Sequence, residues 1–154
     1  YMPFIYEHPV YWQKIEEETK GSGDIERSTC LFIDSENARE HTEEEMIPVE
    51  NIKGRLFLVG AEDDSFWETG KYIRRMDERL KERPHTCEYV PLVYEHGTHF
   101  VLPESLLRKA LPVGLKFVMR FIFKAAKEYP NECEKTRKDI DRRLSSALKE
   151  WLEE

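Results

Sequence analysis

Apolar residues along this chain follow distinct rhythms, and each rhythm predicts an element. The run Arg55-Leu56-Phe57-Leu58-Val59-Gly60 is apolar after its first residue, short, and bounded by Gly54 and Gly60. That pattern predicts a strand buried on both faces of a parallel sheet. Over 69–82, Tyr72, Ile73, Met76 and Leu80 recur at spacings of three and four, which predicts an amphipathic helix. A second strand is predicted over 87–93. Strand, helix and strand within about 40 residues read as a βαβ unit, with a parallel pair and a right-handed crossover.

Farther on, Leu115, Val118, Phe121 or Ile122, and Ala125 form one helical stripe that Pro130 stops. A last helix is predicted over 132–152, with Ile140, Leu144, Leu148 and Trp151 or Leu152 on one face. The N-terminal part is less regular. Residues 1–12 combine aromatics with Pro3 and Pro9, which predicts an extended, anchored segment. Gly21-Ser22-Gly23-Asp24 predicts a turn or loop, and a short helix is predicted over 35–46, capped by Asp34 or Ser35 and limited by Pro48. The fold class is therefore α/β, a short parallel sheet flanked by helices. The single domain divides into a linker or lid-like segment (1–46), a βαβ core (47–105) and C-terminal helices (106–154). Two strands cannot form a sheet that covers itself, so further strands are expected in the complete fold.

Composition narrows the function classes. With 154 residues, 40% hydrophobic and 12% aromatic, the chain can bury a core and is expected to fold. The net charge of −7 is concentrated in residues 1–50, which hold thirteen acidic and four basic side chains. An acidic first third argues against nucleic acid and against an anionic membrane as partners. No apolar run is long enough to span a bilayer, and the start lacks the charged, apolar, small-residue order of a secretory leader. Cys30, Cys87 and Cys133 are odd in number and far apart, which argues against a disulfide framework or a C-x-x-C metal site. Reduced thiols and a cytoplasmic location are the expectation.

The chemistry clusters just beyond the two predicted strands, where ligands gather in open α/β sheets. Gly60-Ala61-Glu62-Asp63-Asp64-Ser65-Phe66-Trp67 follows the first strand and Glu95-His96-Gly97-Thr98-His99-Phe100 the second. An acid followed 30–40 residues later by a histidine matches the order Ser, Asp/Glu, His of α/β-hydrolases. The chemistry asks for a buried carboxylate that accepts the imidazole Nδ1–H, fixing the tautomer and stabilising the imidazolium formed when Nε2 takes a proton. A loop histidine taken alone is by default only a satisfied polar residue. Trp67 is expected to pack in the core more than to wall the acid's pocket. No G-x-S-x-G or G-x-C-x-G occurs in the 154 residues; Gly21-Ser22-Gly23 lacks the spacing, and Cys30 reads as a buried structural thiol. Glu95, His96 and His99 lie in one tight turn, and three ligands so placed rarely converge on zinc.

The block Ile47-Pro48-Val49-Glu50-Asn51-Ile52-Lys53-Gly54, then the strand, EDDSFW and HGTHF resembles the C-terminal part of the acyl-CoA thioester hydrolases and bile-acid-CoA:amino acid N-acyltransferases. The likeness covers roughly 45–105 well and the flanks loosely. It implies the C-terminal half of an α/β-hydrolase fold. The second aspartate of the family's DD-x-x-W falls on Asp64 as triad acid, in preference to Asp63. The family's glycine-histidine pair falls on His99 as base, in preference to His96. This chain departs by reading Gly97-Thr98-His99, with one residue inserted, and by carrying Ala61 before the acidic run; a count from Gly60 selects Asp63 instead. The resemblance further implies a serine or cysteine nucleophile outside this chain, an acyl-CoA or other acyl ester as substrate, and no cofactor or metal. The isolated chain is then expected to be inactive, and whether the acyl group passes to water or to an amine stays open. Two alternatives stand beside this reading. One is a carboxylesterase or dienelactone-hydrolase-like fragment; the other is a non-catalytic module that pairs, as a homodimer, through an open sheet edge.

Overall fold

Two parallel strands that stop level with each other organise the chain. A computed structural model describes residues 42–153, together with Glu17. β1 spans Arg55–Ala61 and β2 spans Glu88–Tyr94, and they are joined by α1, Thr69–Glu82. Arg55 pairs with Glu88 and Ala61 with Tyr94, so the loops that follow both strands leave from one rim. Glu62 N–H donates to the Tyr94 carbonyl at 2.8 Å and carries the ladder one residue further. After β2 the described residues form helices α2 (Glu104–Ala110), α3 (Leu115–Ile122), α4 (Lys124–Glu128) and α5 (Pro130–Glu153).

Strand alternation separates the two faces. Leu56 and Leu58 look toward α1 and pack with Met76, Leu80, Val49, Cys87 and Tyr89. Gly60 continues this face. A Cβ there would stand 2.8 Å from the carbonyl carbon and oxygen of Thr69, so only glycine lets α1 begin this close to the strand. The 3-10 turn Val49–Asn51 is tied to the same helix through Glu50, whose carboxyl is held down to about 2, chiefly by the Arg79 guanidinium.

The opposite face carries Arg55 and Ala61 and looks toward α5. Tyr94 donates its hydroxyl to Asp139 at 2.8 Å, and the Arg55 guanidinium lies 5.7 Å from the Trp151 ring centroid. From Asp139 to Trp151 the helix rises roughly 18 Å, which matches the roughly 20 Å length of a seven-residue strand. α5 therefore runs antiparallel to the strands along their whole length. α1 packs on one face of the sheet, and α5 meets the other through Asp139 at one end and Trp151 at the far end.

A second apolar cluster joins the C-terminal helices: Leu107, Leu115, Met119, Phe123, Ala126 and Cys133, with Phe66 and Phe100 packed against it. Burial pushes the Cys133 thiol up to about 11, which leaves it inert. Within this region Glu104 and Arg137 form a buried ion pair at 2.8 Å, tying α2 to α5.

The structure revises several expectations. β1 is fully buried only at Gly60 and Ala61 and half-buried before them, because the described residues supply two strands and not more. Of the expected stripe Leu115 is buried, Val118, Ile122 and Ala125 are half-buried, and Phe121 is exposed. Phe123 is extended, with φ −115° and ψ 125°, and splits the segment into two short helices. The core takes Leu115, Met119, Phe123 and Ala126, while Phe117 and Phe121 face outward. In α5, Cys133, Thr136, Arg137 and Ile140 are buried, whereas Leu148 and Leu152 are exposed. The helix expected over 35–46 falls mostly outside the described residues, and its described end is a 3-10 turn, Glu43–Glu45. The extended segment 1–12, the loop at Gly21-Ser22-Gly23 and Cys30 also lie outside them. No described helix is long and apolar enough to cross a membrane.

Glu104 also pairs with Arg108 at 2.8 Å, whereas Arg137 is buried against Glu104, so it is loss of the glutamate that strands a charge. Glu104→Gln should destabilise the fold by about 3–5 kcal/mol, and adding Arg137→Met should recover most of that loss. Urea unfolding of the three proteins measures both effects.

Candidate active site

Level strand ends bring together residues at equal distances beyond them. Asp63 lies two residues past Ala61 and His96 two past Tyr94, and His96 Nδ1 sits 3.2 Å from Asp63 Oδ2. The neighbouring pair forms a second contact: His99 Nδ1 lies 3.1 Å from Asp64 Oδ2 and 3.2 Å from Oδ1. The structure thus places all four candidate side chains in one site as two separate acid–histidine pairs.

Local chemistry distinguishes the pairs. Asp64 is 4% exposed, and its carboxylate is enclosed by donors. Oδ1 accepts the backbone N–H of Phe66 at 2.9 Å and of Trp67 at 3.2 Å, an Asx-type turn that aspartate forms readily. Oδ2 accepts the Thr69 hydroxyl at 2.7 Å. Thr69 in turn accepts Ala61 N–H at 3.1 Å, which links the end of β1 to the start of α1 through the acid's own partner. Burial pushes the Asp64 carboxyl up, but the hydrogen bonds from His99, Thr69, Phe66 and Trp67 outweigh it and hold the group below its ordinary range.

The His99 imidazole fits an aromatic recess. Its centroid is 5.0 Å from Phe66 and 5.0 Å from Trp67, which meets it edge-on at 84°, and 5.8 Å from Phe100. With Nδ1 on Asp64 and the ring 22% exposed at its side chain, Nε2 has no hydrogen-bond partner among the described residues. This arrangement can accept a proton at Nε2 while the carboxylate stabilises the resulting cation. His96, by contrast, is stacked flat on Tyr129, with centroids 3.9 Å apart and an 11° interplanar angle.

The turn between the histidines is tightly made. Thr98 is buried and has φ 63°, a left-handed conformation that a β-branched residue rarely adopts and that costs on the order of 1–3 kcal/mol. A Cβ at Gly97 would stand 2.5 Å from Val101 and 3.0 Å from Ala61 Cβ. Among the described residues no three His, Cys, Asp or Glu side chains gather as a metal site.

A family model described as BAAT / Acyl-CoA thioester hydrolase C terminal matches residues 11–105. The chain belongs to this family. In this BAAT / acyl-CoA thioester hydrolase C-terminal chain, the match contains both strands, α1 and the two acid–histidine pairs. No curated protein and no solved structure matches the chain.

Trp67 corrects one expectation. It is 46% exposed and lies at the edge of the His99 ring, not within the core. Sequence reasoning missed Thr69, Phe66 and Phe100. A threonine at the first turn of α1, five residues after an aspartate, and aromatics flanking each motif were the available signals.

Two predictions follow from the Asp64 environment. Thr69→Val leaves both a buried carboxylate oxygen and Ala61 N–H short of a partner, and should cost about 1–3 kcal/mol by urea unfolding. The folded-state pKa of Asp64 lies below its unfolded value of about 3.9, so its contribution to stability is full above that value. It is lost as the pH falls through the folded value. The stability gap between the wild type and Asp64→Asn at pH 7 should therefore close on acidification, as denaturant midpoints from pH 7 to pH 2 can measure.

Proposed function

We propose that Asp64 and His99 are the acid and the base of a Ser/Cys-His-Asp triad acting on acyl thioesters. The observation that carries this reading is the His99 imidazole seated with Nδ1 on the buried Asp64 carboxylate and Nε2 unpaired. Asp64 keeps the proton on Nδ1, so Nε2 is the basic nitrogen. It removes the proton of a serine or cysteine nucleophile contributed from outside residues 1–154, and later returns a proton to the departing thiolate. The acyl-enzyme then passes its acyl group to water or to an amine. The substrate is an acyl-CoA, as membership of the family suggests. The buried, free thiols of Cys87 and Cys133 fit a reducing cytoplasm.

In the nucleophile-bearing protein, Asp64→Asn should lower kcat for acyl-CoA hydrolysis about 10⁴-fold, and His99→Ala by at least as much, with KM little changed. The 154-residue chain by itself should release no CoA above background. CoA release by this chain that persists in His99→Ala would sink the reading.

One observation favours a second reading. β1 is apolar yet mostly only half-buried, and among the described residues it is paired on one side alone. Pro91 within β2 marks that strand as the outer one, since proline lacks a ladder donor. The free side of β1 then takes a strand from a second copy, as a homodimer without catalysis. Sedimentation equilibrium showing only monomer would remove this alternative.

A further inference from the structure

The triad reading leaves one acid–histidine pair without a task. Asp63 Oδ1 accepts Gly97 N–H at 2.9 Å and Thr98 N–H at 2.8 Å, while its Oδ2 lies 3.2 Å from His96 Nδ1. All three contacts reach from the loop after β1 to the turn after β2. His96 is itself held: its ring stacks on Tyr129, and its carbonyl accepts the Thr136 hydroxyl of α5 at 2.5 Å. Its ring is held between Asp63 and Tyr129.

Within that turn Thr98 alone departs from ordinary backbone geometry. Among the described non-glycine residues it is the one with a positive φ, and it sits buried between His96 and His99. Its own contribution is a hydroxyl that accepts Phe100 N–H at 3.2 Å, a contact made after the reversal and not before it. Intrinsic preference opposes a left-handed threonine. The carboxylate of Asp63 accepts the two consecutive amides of Gly97 and Thr98, directly at the reversal. Reversal at Thr98 lets two histidines three residues apart face two adjacent aspartates.

We propose that Asp63 is a positioning residue: by accepting the Gly97 and Thr98 amides it holds Thr98 in the left-handed conformation and thereby seats His99 Nδ1 on Asp64. This rests on the reading of Asp64 and His99 as the working pair. Asp63 touches no reacting atom. It acts through the backbone of the turn that carries His99.

The test needs no nucleophile and uses the chain as it stands. Carbon NMR of the Asp64 carboxyl through an acid titration, and solvent exchange of the His99 Nδ1 proton, both report the Asp64–His99 contact. In the wild type the carboxyl should titrate below the ordinary aspartate range and the proton should be protected. Asp63→Ala should move the Asp64 titration up toward the ordinary range and speed the proton's exchange about tenfold or more, the scale of a lost charged hydrogen bond. Adding Thr98→Gly, which adopts positive φ without strain, should recover most of both signals. A role in packing alone would not be rescued by glycine at 98.

Unchanged signals in Asp63→Ala, or no recovery in the double variant, overturn the proposal while leaving the triad reading intact. If Asp63→Ala does not fold, Asp63→Asn decides, because its carboxamide oxygen still accepts both amides. Retained signals support the proposal and lost signals overturn it. A wild type showing neither signal overturns the Asp64–His99 pairing and this proposal together.

Discussion

The level ending of two parallel strands is the constraint on which the rest of the site depends. With Ala61 opposite Tyr94, the two following loops leave the sheet side by side, and their polar residues must satisfy one another or remain buried without partners. A slip of one residue would turn every strand side chain to the other face. It would also take Asp63 out of step with His96, since each lies two residues past its strand end. Gly60 guards this register from the other direction, because α1 can start beside β1 only where no Cβ intervenes.

Burial of the Asp64 carboxylate carries a desolvation cost. Desolvation alone would drive the group toward its neutral form, and neutral aspartic acid is a weaker acceptor toward His99 with no charge to offer an imidazolium. Two backbone amides, one hydroxyl and one imidazole offset that cost and keep the charge in place. The strand end, the helix start and the histidine turn are thus joined at a single carboxylate. A group with so many donors is fixed in orientation, which is what the role proposed for Asp64 requires.

Local signals were readable where periodicity and motif agreed. The spacing of Tyr72, Ile73, Met76 and Leu80 defines α1 to its ends, and the apolar run from Leu56 to Val59 marks β1. What could not be read was the partition of contacts. From sequence Asp63 and Asp64 compete for one role, as do His96 and His99; in the fold each acid has its own histidine. Their separation depends on the backbone conformation of Thr98, which no side-chain pattern encodes. The stripe at Val118 and Phe121 misleads for a similar reason. A single extended residue, Phe123, resets the helical phase, and its burial depends on Phe66 and Phe100 from distant segments.

Thr136 and Asp139 give the long C-terminal helix a role beyond covering a face. The same helix holds the His96 carbonyl, the Tyr94 hydroxyl at the rim of the sheet and, at its far end, the Arg55 side chain. Loops that bear functional groups are commonly drawn from the least protected parts of a protein, opening locally while the core stays closed. The His96–His99 turn is a loop in shape only. To swing out it must break the Thr136 bond to α5 and both Asp63 bonds to its amides, so it is fastened to the covering helix and to the loop after β1 at once. The site should exist for as long as the domain is folded, with no intermediate in which the sheet persists and the turn has let go.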